Sequence, residues 1–139
     1  MLADQNEVLN YIPQRQPMVM VDGLLELDDN GAVSQLQLNP HNILCRGGFF
    51  TEAGLMENMA QSAALFSGYH TIRSGEEVKI GFIGAIKRMS ILELPKDSDC
   101  INTTVRKTHE YDNVVIIEAE VTVEMRKVAA AELSIFTRD

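Results

Sequence analysis

The 139-residue chain contains few of the residues that mark several protein classes. It has two cysteines, four prolines, no tryptophan and only 12 basic residues against 20 acidic ones. Two cysteines imply no disulfide framework, so we expect a protein of the reducing cytoplasm. The net charge of −8 argues against a nucleic-acid surface, which is usually basic.

Two targeting features are also missing. No apolar run approaches the ~20 residues that a membrane helix needs. The first seven residues, Met1 to Glu7, have neither the positive region nor the apolar region of a signal peptide. The remaining composition, 45% hydrophobic and 23% charged, is that of a globular protein, and the length predicts one domain, residues 1–139.

The order of the predicted elements indicates an α+β domain. A short helix (4–11) precedes a hairpin whose turn is Asp29-Asn30-Gly31, and after an irregular loop Thr51 caps one long helix that runs to Tyr69. Only strands follow, at 78–94, 100–109, 114–126 and 130–137. A sheet that curls around the helix would bury both. Because one helix does not cover a whole sheet, we expect a dimer.

The long helix is apolar on almost every side, which is typical of a buried helix. It nevertheless contains a carboxylate, Glu57, and an amide, Gln61, one turn apart on the same face. A buried carboxylate is costly unless it is paired, hydrogen-bonded or neutral, and no basic residue of the helix can pair with Glu57. The pattern makes Glu57 a candidate acid/base residue, the alternative being a structural group paired from elsewhere.

Three stretches resemble the hotdog-fold 3-hydroxyacyl-[acyl-carrier-protein] dehydratases of the FabZ type. Ile12 to Asp22 is similar to the family opening L-P-H-R-x-P-x-L-L-V-D, and Leu55 to Gln61 to its central helix L-x-E-x-M-A-Q. Pro95-Lys96-Asp97 stands where the family has P-G-D, after a segment, Ile80 to Arg88, that is also similar. The resemblance implies a hotdog fold, a homodimer or a heterodimer with a paralogue, no cofactor and no metal.

One departure concerns the catalytic histidine of the family. That histidine lies in a G-H-F-P loop about fourteen residues before the acid, where this chain has Ile43. The nearest histidine, His41, is two residues too early, and Thr51-Glu52-Ala53 replaces the P-G-V turn. His41 is a weak candidate for the missing base; its alternative is an ordinary loop residue.

The resemblance also implies roles for the other site residues. In the family the histidine removes the C2 proton and the acid handles the C3 hydroxyl, so Glu57 inherits the acid role and Gln61 orients it or a water. Backbone N–H groups near Ala53 and Gly54 are expected to polarise the thioester carbonyl. The facing strand adds substrate-binding candidates, whose glycines alternatively mark a bulge: Gly81, Phe82 and Gly84.

Three functions remain open. The first is a dehydratase of fatty-acid or polyketide-type synthesis that converts a 3-hydroxyacyl thioester into its trans-2-enoyl form. The second is a non-catalytic dehydratase-like partner or acyl-binding subunit, and the third is a hotdog thioesterase, which needs no histidine. For an acidic acyl carrier protein bearing the phosphopantetheine-linked acyl chain, Arg46, Lys87 and Arg88 are candidate docking residues, or ordinary surface charges.

Overall fold

A six-stranded antiparallel sheet wraps around one long helix in the computed structural model, as the sequence predicts. The structure describes residues 1–75 and 81–137, with the backbone alone for 81–83 and 137. A short 3-10 helix, Glu7–Asn10, opens the chain. The named elements are β1 Gly23–Leu27, β2 Gly31–Gln37, β3 Cys45–Arg46, β4 Phe49–Phe50, α1 Glu52–Arg73, β5 Gly81–Ile91, β6 Cys100–Tyr111, β7 Val114–Val123 and β8 Arg126–Thr137.

Helix α1 begins where the sequence predicts and continues one turn beyond the predicted end at Tyr69. The Thr51 hydroxyl oxygen accepts the Gly54 N–H at 3.2 Å, which confirms the predicted N-cap. The helix ends after Arg73, where the Ser74 N–H still bonds to the His70 carbonyl. Its buried side combines apolar and polar residues: Gly54, Leu55, Asn58, Met59, Gln61, Ser62, Ala63, Leu65, Phe66, Gly68 and Tyr69.

The strands of the sheet run in the order β1-β2-β6-β7-β8-β5. Alternate residues of β6, β7 and β8 point towards α1 and form the core with it: Ile101, Thr103, Val105, Ile117, Ala119, Val121, Val123, Ala129, Ala131 and Leu133. The period-two pattern of the sequence therefore reports the buried face of the sheet. It also leaves β5 at one edge, paired only with β8 among the described strands.

The predicted strand 114–126 is wrong at its end, because the chain turns there. Glu124 and Met125 both have positive φ, 49° and 66°, and form the two-residue turn between β7 and β8. Met125, which continues the alternation of Ala119, Val121 and Val123 in the sequence, is 96% exposed. Met125 follows the alternation of apolar residues in the sequence but not in the structure. As a turn residue, it lies outside the hydrogen-bonded ladder that places alternate side chains on one face of the sheet.

The hairpin before α1 was not predicted. Strands β3 and β4 pair within the loop, and Gly47 and Gly48 supply the positive φ values of their turn, 62° and 90°. The Phe50 N–H donates to the Pro95 carbonyl at 2.8 Å, so this loop rests on the turn that precedes β6. Residues 18–22, just before β1, form no strand, and their backbone groups bond mainly to side chains of α1.

The sheet leaves one side of α1 uncovered. Ala53 and Met56 are exposed, and Ala60 and Ala64 are half-buried. These four residues recur at helical spacing and form a single stripe, called here the uncovered stripe of α1. No helix within the described ranges is both long and apolar enough to cross a membrane.

Candidate active site

Glu57 and Gln61 meet as the sequence predicts, one turn apart on α1. The Gln61 Nε2 group donates to Glu57 Oε2 at 2.7 Å. Glu57 is half-buried and borders the uncovered stripe, whereas Gln61 is fully buried. One carboxylate oxygen is therefore held by an amide, and the other has no hydrogen-bond partner among the described residues.

The orientation of the Gln61 amide follows from its other partners. Gln61 Oε1 lies 2.6 Å from the Met20 backbone N–H, which can only donate. Nε2 must therefore be the atom that faces the Met18 carbonyl, at 2.7 Å, and Glu57. The amide presents a donor to Glu57, and its Nε2 group is fully used by Glu57 and the Met18 carbonyl. The role of Gln61 in orienting a water stays a prediction.

The backbone donors at the start of α1 are fewer than predicted. The Gly54 N–H is taken by the Thr51 hydroxyl, so Gly54 does not offer it to a ligand in this structure. Gly54 is required sterically, because a Cβ atom there would overlap the buried ring of Phe50. Ala53 is exposed in the first turn, and its N–H has no acceptor among the described residues. Binding of the thioester carbonyl by backbone N–H groups at the helix start thus stays a prediction, and Ala53 is the remaining candidate donor of the two.

The loop before β3 does not join a base to Glu57. His41 is exposed, and its only bond within the described residues is from its own backbone N–H to Asn39 Oδ1, at 2.9 Å. Ile43, at the position of the family histidine, is 51% exposed. The residue that turns inward is Asn42, whose Nδ2 group lies 3.4 Å from Met20 Sδ. The catalytic role of His41 stays a prediction.

The β5 candidates divide into described and undescribed positions. The backbone of Gly81 and Phe82 pairs with Thr137 and Phe136, but their side-chain surroundings lie outside the described part. At Gly84 the register shifts, and a Cβ atom would overlap the Phe136 ring. Close packing against Phe136 at the bulge therefore accounts for glycine at position 84, and its role in substrate binding stays a prediction.

Of the three basic candidates, one lies on β3 and two are adjacent on β5. Arg46 is exposed on β3, and Lys87 stands opposite Glu132 on β5. Arg88 lines a groove of about 380 Å³ on the outer face of the sheet, together with Arg106 and several glutamates. Docking of an acidic carrier through these residues stays a prediction.

Neither cysteine chemistry nor a metal is indicated near the loop. Burial, followed by the nearby Asp97 carboxylate, raises the pKa of the Cys45 thiol, which keeps this thiol protonated. The described residues contain no group of three or more potential metal ligands.

One site residue was missed by the sequence reasoning. Asn58, next to Glu57, is fully buried, and its Nδ2 group donates to the Met20 carbonyl at 2.8 Å. The signal was available, because a polar residue three positions before Gln61 in an apolar helix shares its face. This signal is weak, because asparagine also occurs at exposed helix positions.

The fold and the carboxylate on the central helix define a hotdog protein of the dehydratase type. The profile of the ApeP-like family, described as ApeP dehydratase, matches residues 6–139. The chain therefore belongs to the ApeP-like dehydratase family.

Similar proteins agree with this class. The 3-hydroxyacyl-[acyl-carrier-protein] dehydratase FabZ of Aromatoleum aromaticum is 25% identical over 138 residues, covering 87% of this chain and 92% of that protein. The dehydratase heterocomplex ApeI:P from Xenorhabdus doucetiae contains a similar chain, with a TM-score of 0.82 and 17% identity over 95% of this chain and 91% of that one.

The same fold also occurs in a protein named as a hypothetical thioesterase. A hypothetical thioesterase from Streptococcus pneumoniae TIGR4, solved with coenzyme A, superimposes with a TM-score of 0.68 and 16% identity, covering 84% of each chain. At such identities the two structural matches establish the fold alone. The FabZ-like resemblance and the hotdog architecture are thereby confirmed, whereas the reaction is not.

Proposed function

We propose that this protein is one subunit of a two-subunit dehydratase that converts a 3-hydroxyacyl thioester into the trans-2-enoyl thioester. Glu57 acts on the C3 hydroxyl, and a paralogous subunit supplies the base. The observation that carries the proposal is Glu57 itself. It is oriented by Gln61 at the border of the uncovered stripe, and no histidine among the described residues contacts it.

The chemistry requires two groups. A base removes the proton from C2, the C3–O bond breaks, and an acid gives its proton to the departing hydroxide, which leaves as water. A protonated Glu57 can perform the second step through the oxygen that Gln61 does not hold. The loop of this chain has Ile43 where the family has its histidine, so the first step needs a base from outside the chain.

Two surfaces support a partner next to Glu57. The uncovered stripe presents Ala53, Met56, Ala60 and Ala64, apolar side chains that the sheet of the same chain does not cover. Strand β5 is an 11-residue sheet edge whose outer side has no partner in the described chain. Open edges of this length usually pair with another chain or are protected. The similar chain within a complex titled a dehydratase heterocomplex supports a paralogue as this partner.

The test compares this chain alone with this chain co-purified with a dehydratase-like subunit that retains the family histidine. A 3-hydroxyacyl thioester is supplied on coenzyme A and on a carrier protein, and both enoyl formation and thiol release are measured. We expect enoyl product only from the pair. Glu57→Gln should reduce that turnover by about 100-fold or more, as expected for loss of an acid catalyst.

Glu52→Gln is the matched control, since Glu52 is an exposed carboxylate five residues earlier on the same helix. Thiol release that depends on Glu57 would instead indicate a thioesterase. Enoyl formation by this chain alone would show a self-sufficient dehydratase. Turnover of the pair that survives Glu57→Gln would show that this subunit is a non-catalytic partner.

A further inference from the structure

One residue outside the helix, Met20, is held at both of its backbone groups by side chains of α1. Its N–H donates to Gln61 Oε1 at 2.6 Å, and its carbonyl accepts from Asn58 Nδ2 at 2.8 Å. Met20 is completely buried and lies in the extended segment 18–22, which is not part of a named strand. Asn58 and Gln61 therefore replace the neighbouring strand that would normally satisfy these backbone groups.

The Asn58 amide bonds to β6 as well as to Met20. Because the Met20 carbonyl can only accept, Asn58 must direct Nδ2 to it and Oδ1 away from it. Oδ1 then accepts the Thr103 hydroxyl at 2.5 Å. Both residues are fully buried, so a rotated amide would leave polar groups without partners and without water.

The network continues away from the site. The Ser62 hydroxyl donates to the Asn58 backbone carbonyl at 2.7 Å, and Ser34 lies 2.7 Å from Ser62. Since the single hydroxyl proton of Ser62 is already used, Ser34 is the donor in the second bond. Ser62 contacts the backbone of Asn58 and Ser34 contacts only Ser62, and neither bonds to the Asn58 amide, which makes them suitable controls.

The path from Asn58 to the acid has two steps. Asn58 sets the position of Met20, and Met20 sets the orientation of the Gln61 amide, which holds Glu57 Oε2. We propose that Asn58 is a positioning residue for Glu57, acting through Met20 and Gln61, with the Thr103 hydroxyl holding its amide oxygen. The catalytic part of this inference rests on the proposed function.

Asn58 has a structural role as well, because a leucine of similar volume would leave the buried Met20 carbonyl and Thr103 hydroxyl without their partner. The chain uses apolar residues at most other buried positions of α1, so the asparagine is a departure from the pattern of this helix. The asparagine places a donor against Met20, where the loop also makes contact through Asn42. Met20 thus joins the acid-bearing helix to the rebuilt loop.

The first experiment compares Thr103→Val with Thr103→Ser in the two-subunit assay. Valine keeps the shape of the threonine side chain but removes the hydroxyl that bonds to Asn58 Oδ1. Serine keeps that hydroxyl. We expect Thr103→Val and Asn58→Ser to lower kcat about 10- to 100-fold with KM little changed, a size typical of a displaced catalytic group. Thr103→Ser and Ser34→Ala should stay near wild type. In the Glu57→Gln background, Asn58→Ser should cause no further loss.

The second experiment needs no turnover. The side-chain NH2 resonance of Gln61 reports its bond to Glu57 and should move when that carboxyl titrates. We expect this response in the wild type, Thr103→Ser and Ser34→Ala. It should be lost in Asn58→Ser and Thr103→Val, together with faster hydrogen exchange at the Met20 N–H.

The results separate the two proposals. If the wild-type pair forms no enoyl product, the proposed function fails, and the Gln61 resonance still decides whether Asn58 positions Glu57. An unchanged Gln61 response in Asn58→Ser overturns the positioning inference. So does a kcat that Thr103→Val and Ser34→Ala lower equally, because that result would indicate a general loss of core stability.

Discussion

The start of helix α1 and the loop before it, residues 39–50, differ in how their polar side chains are used. In the helix, Glu57, Asn58 and Gln61 all bond to defined partners, and two of them are fully buried. In the loop, His41 and Ile43 are exposed. The side chain of the acid is thus held in place, while the side chains where the family carries its base face outward.

Under the proposed function, this difference corresponds to an acid supplied by this chain and a base supplied by its partner. An oriented carboxylate requires several buried hydrogen bonds, each of which is costly to leave incomplete, and here they are present. The loop retains its own backbone order through Asn39 and Asn42 but offers no base to Glu57 among the described residues. A subunit that contributes an acid to a shared site fits this division.

Gln61→Leu should cause the largest disturbance of the hydrogen-bonded polar side chains of α1. The change leaves the Met20 N–H and the Met18 carbonyl without their partner in a buried setting. Since an unsatisfied buried group costs about 1–3 kcal/mol, we expect a loss of about 2–5 kcal/mol in the free energy of unfolding.

Urea denaturation measures this loss. Glu57→Gln is the comparison variant, because it changes only the third Gln61 contact and should cost less than about 1 kcal/mol. Equal losses in the two variants would contradict the role given to Gln61.

A second change disturbs the contact between the two regions. Gly54→Ala would place a methyl group against the Phe50 ring at the end of the loop. We expect a loss of about 1–3 kcal/mol by overpacking, although alanine favours a helix by about 1 kcal/mol. Thermal unfolding with Phe50→Leu added should recover part of the loss; no recovery would place the strain elsewhere.

A third change tests the segment of residues 18–22 through the pH dependence of the protein's stability. Burial, opposed by the Gln37 N–H, raises the pKa of Asp22 from its ordinary 3.8. The folded state then binds a proton more readily than the unfolded state, so this group lowers stability as the pH rises from 3.8 to its raised pKa. Asp22→Asn should raise Tm slightly at neutral pH and leave it unchanged below pH 3.8. A variant that is less stable at neutral pH would contradict this sign.

The smallest effect is expected in the loop. His41→Ala removes an exposed side chain and should change the free energy of unfolding by no more than about 0.5 kcal/mol. It should leave enoyl formation by the two-subunit complex unchanged. Asn42→Ala, which loses bonds to Leu44 and Met20, should cost more, about 1 kcal/mol. Loss of turnover in His41→Ala alone would restore His41 as the base.

Elements with strong local determinants were predictable. Thr51 indicates the start of α1, and Asp29-Asn30-Gly31 indicates the turn of the first hairpin. The alternating residues of β7 indicate which face of that strand is buried. The β3–β4 hairpin and the turn at Met125 were missed, because short pairings and non-glycine turn residues with positive φ carry little local signal. The nearness of Glu57 and Gln61 was predictable, since helical spacing alone brings them together.

The sequence by itself determined an acid on an apolar helix, the fold that covers this helix, and the absence of the family histidine at Ile43. The tertiary structure alone decided that the Gln61 amide is committed to Met18 and Met20, and that Asn58 takes part in the same network. The physical reason is sequence distance. Asn58 lies 38 residues from Met20 and 45 from Thr103, and only the packed sheet and helix bring such polar groups within hydrogen-bonding reach.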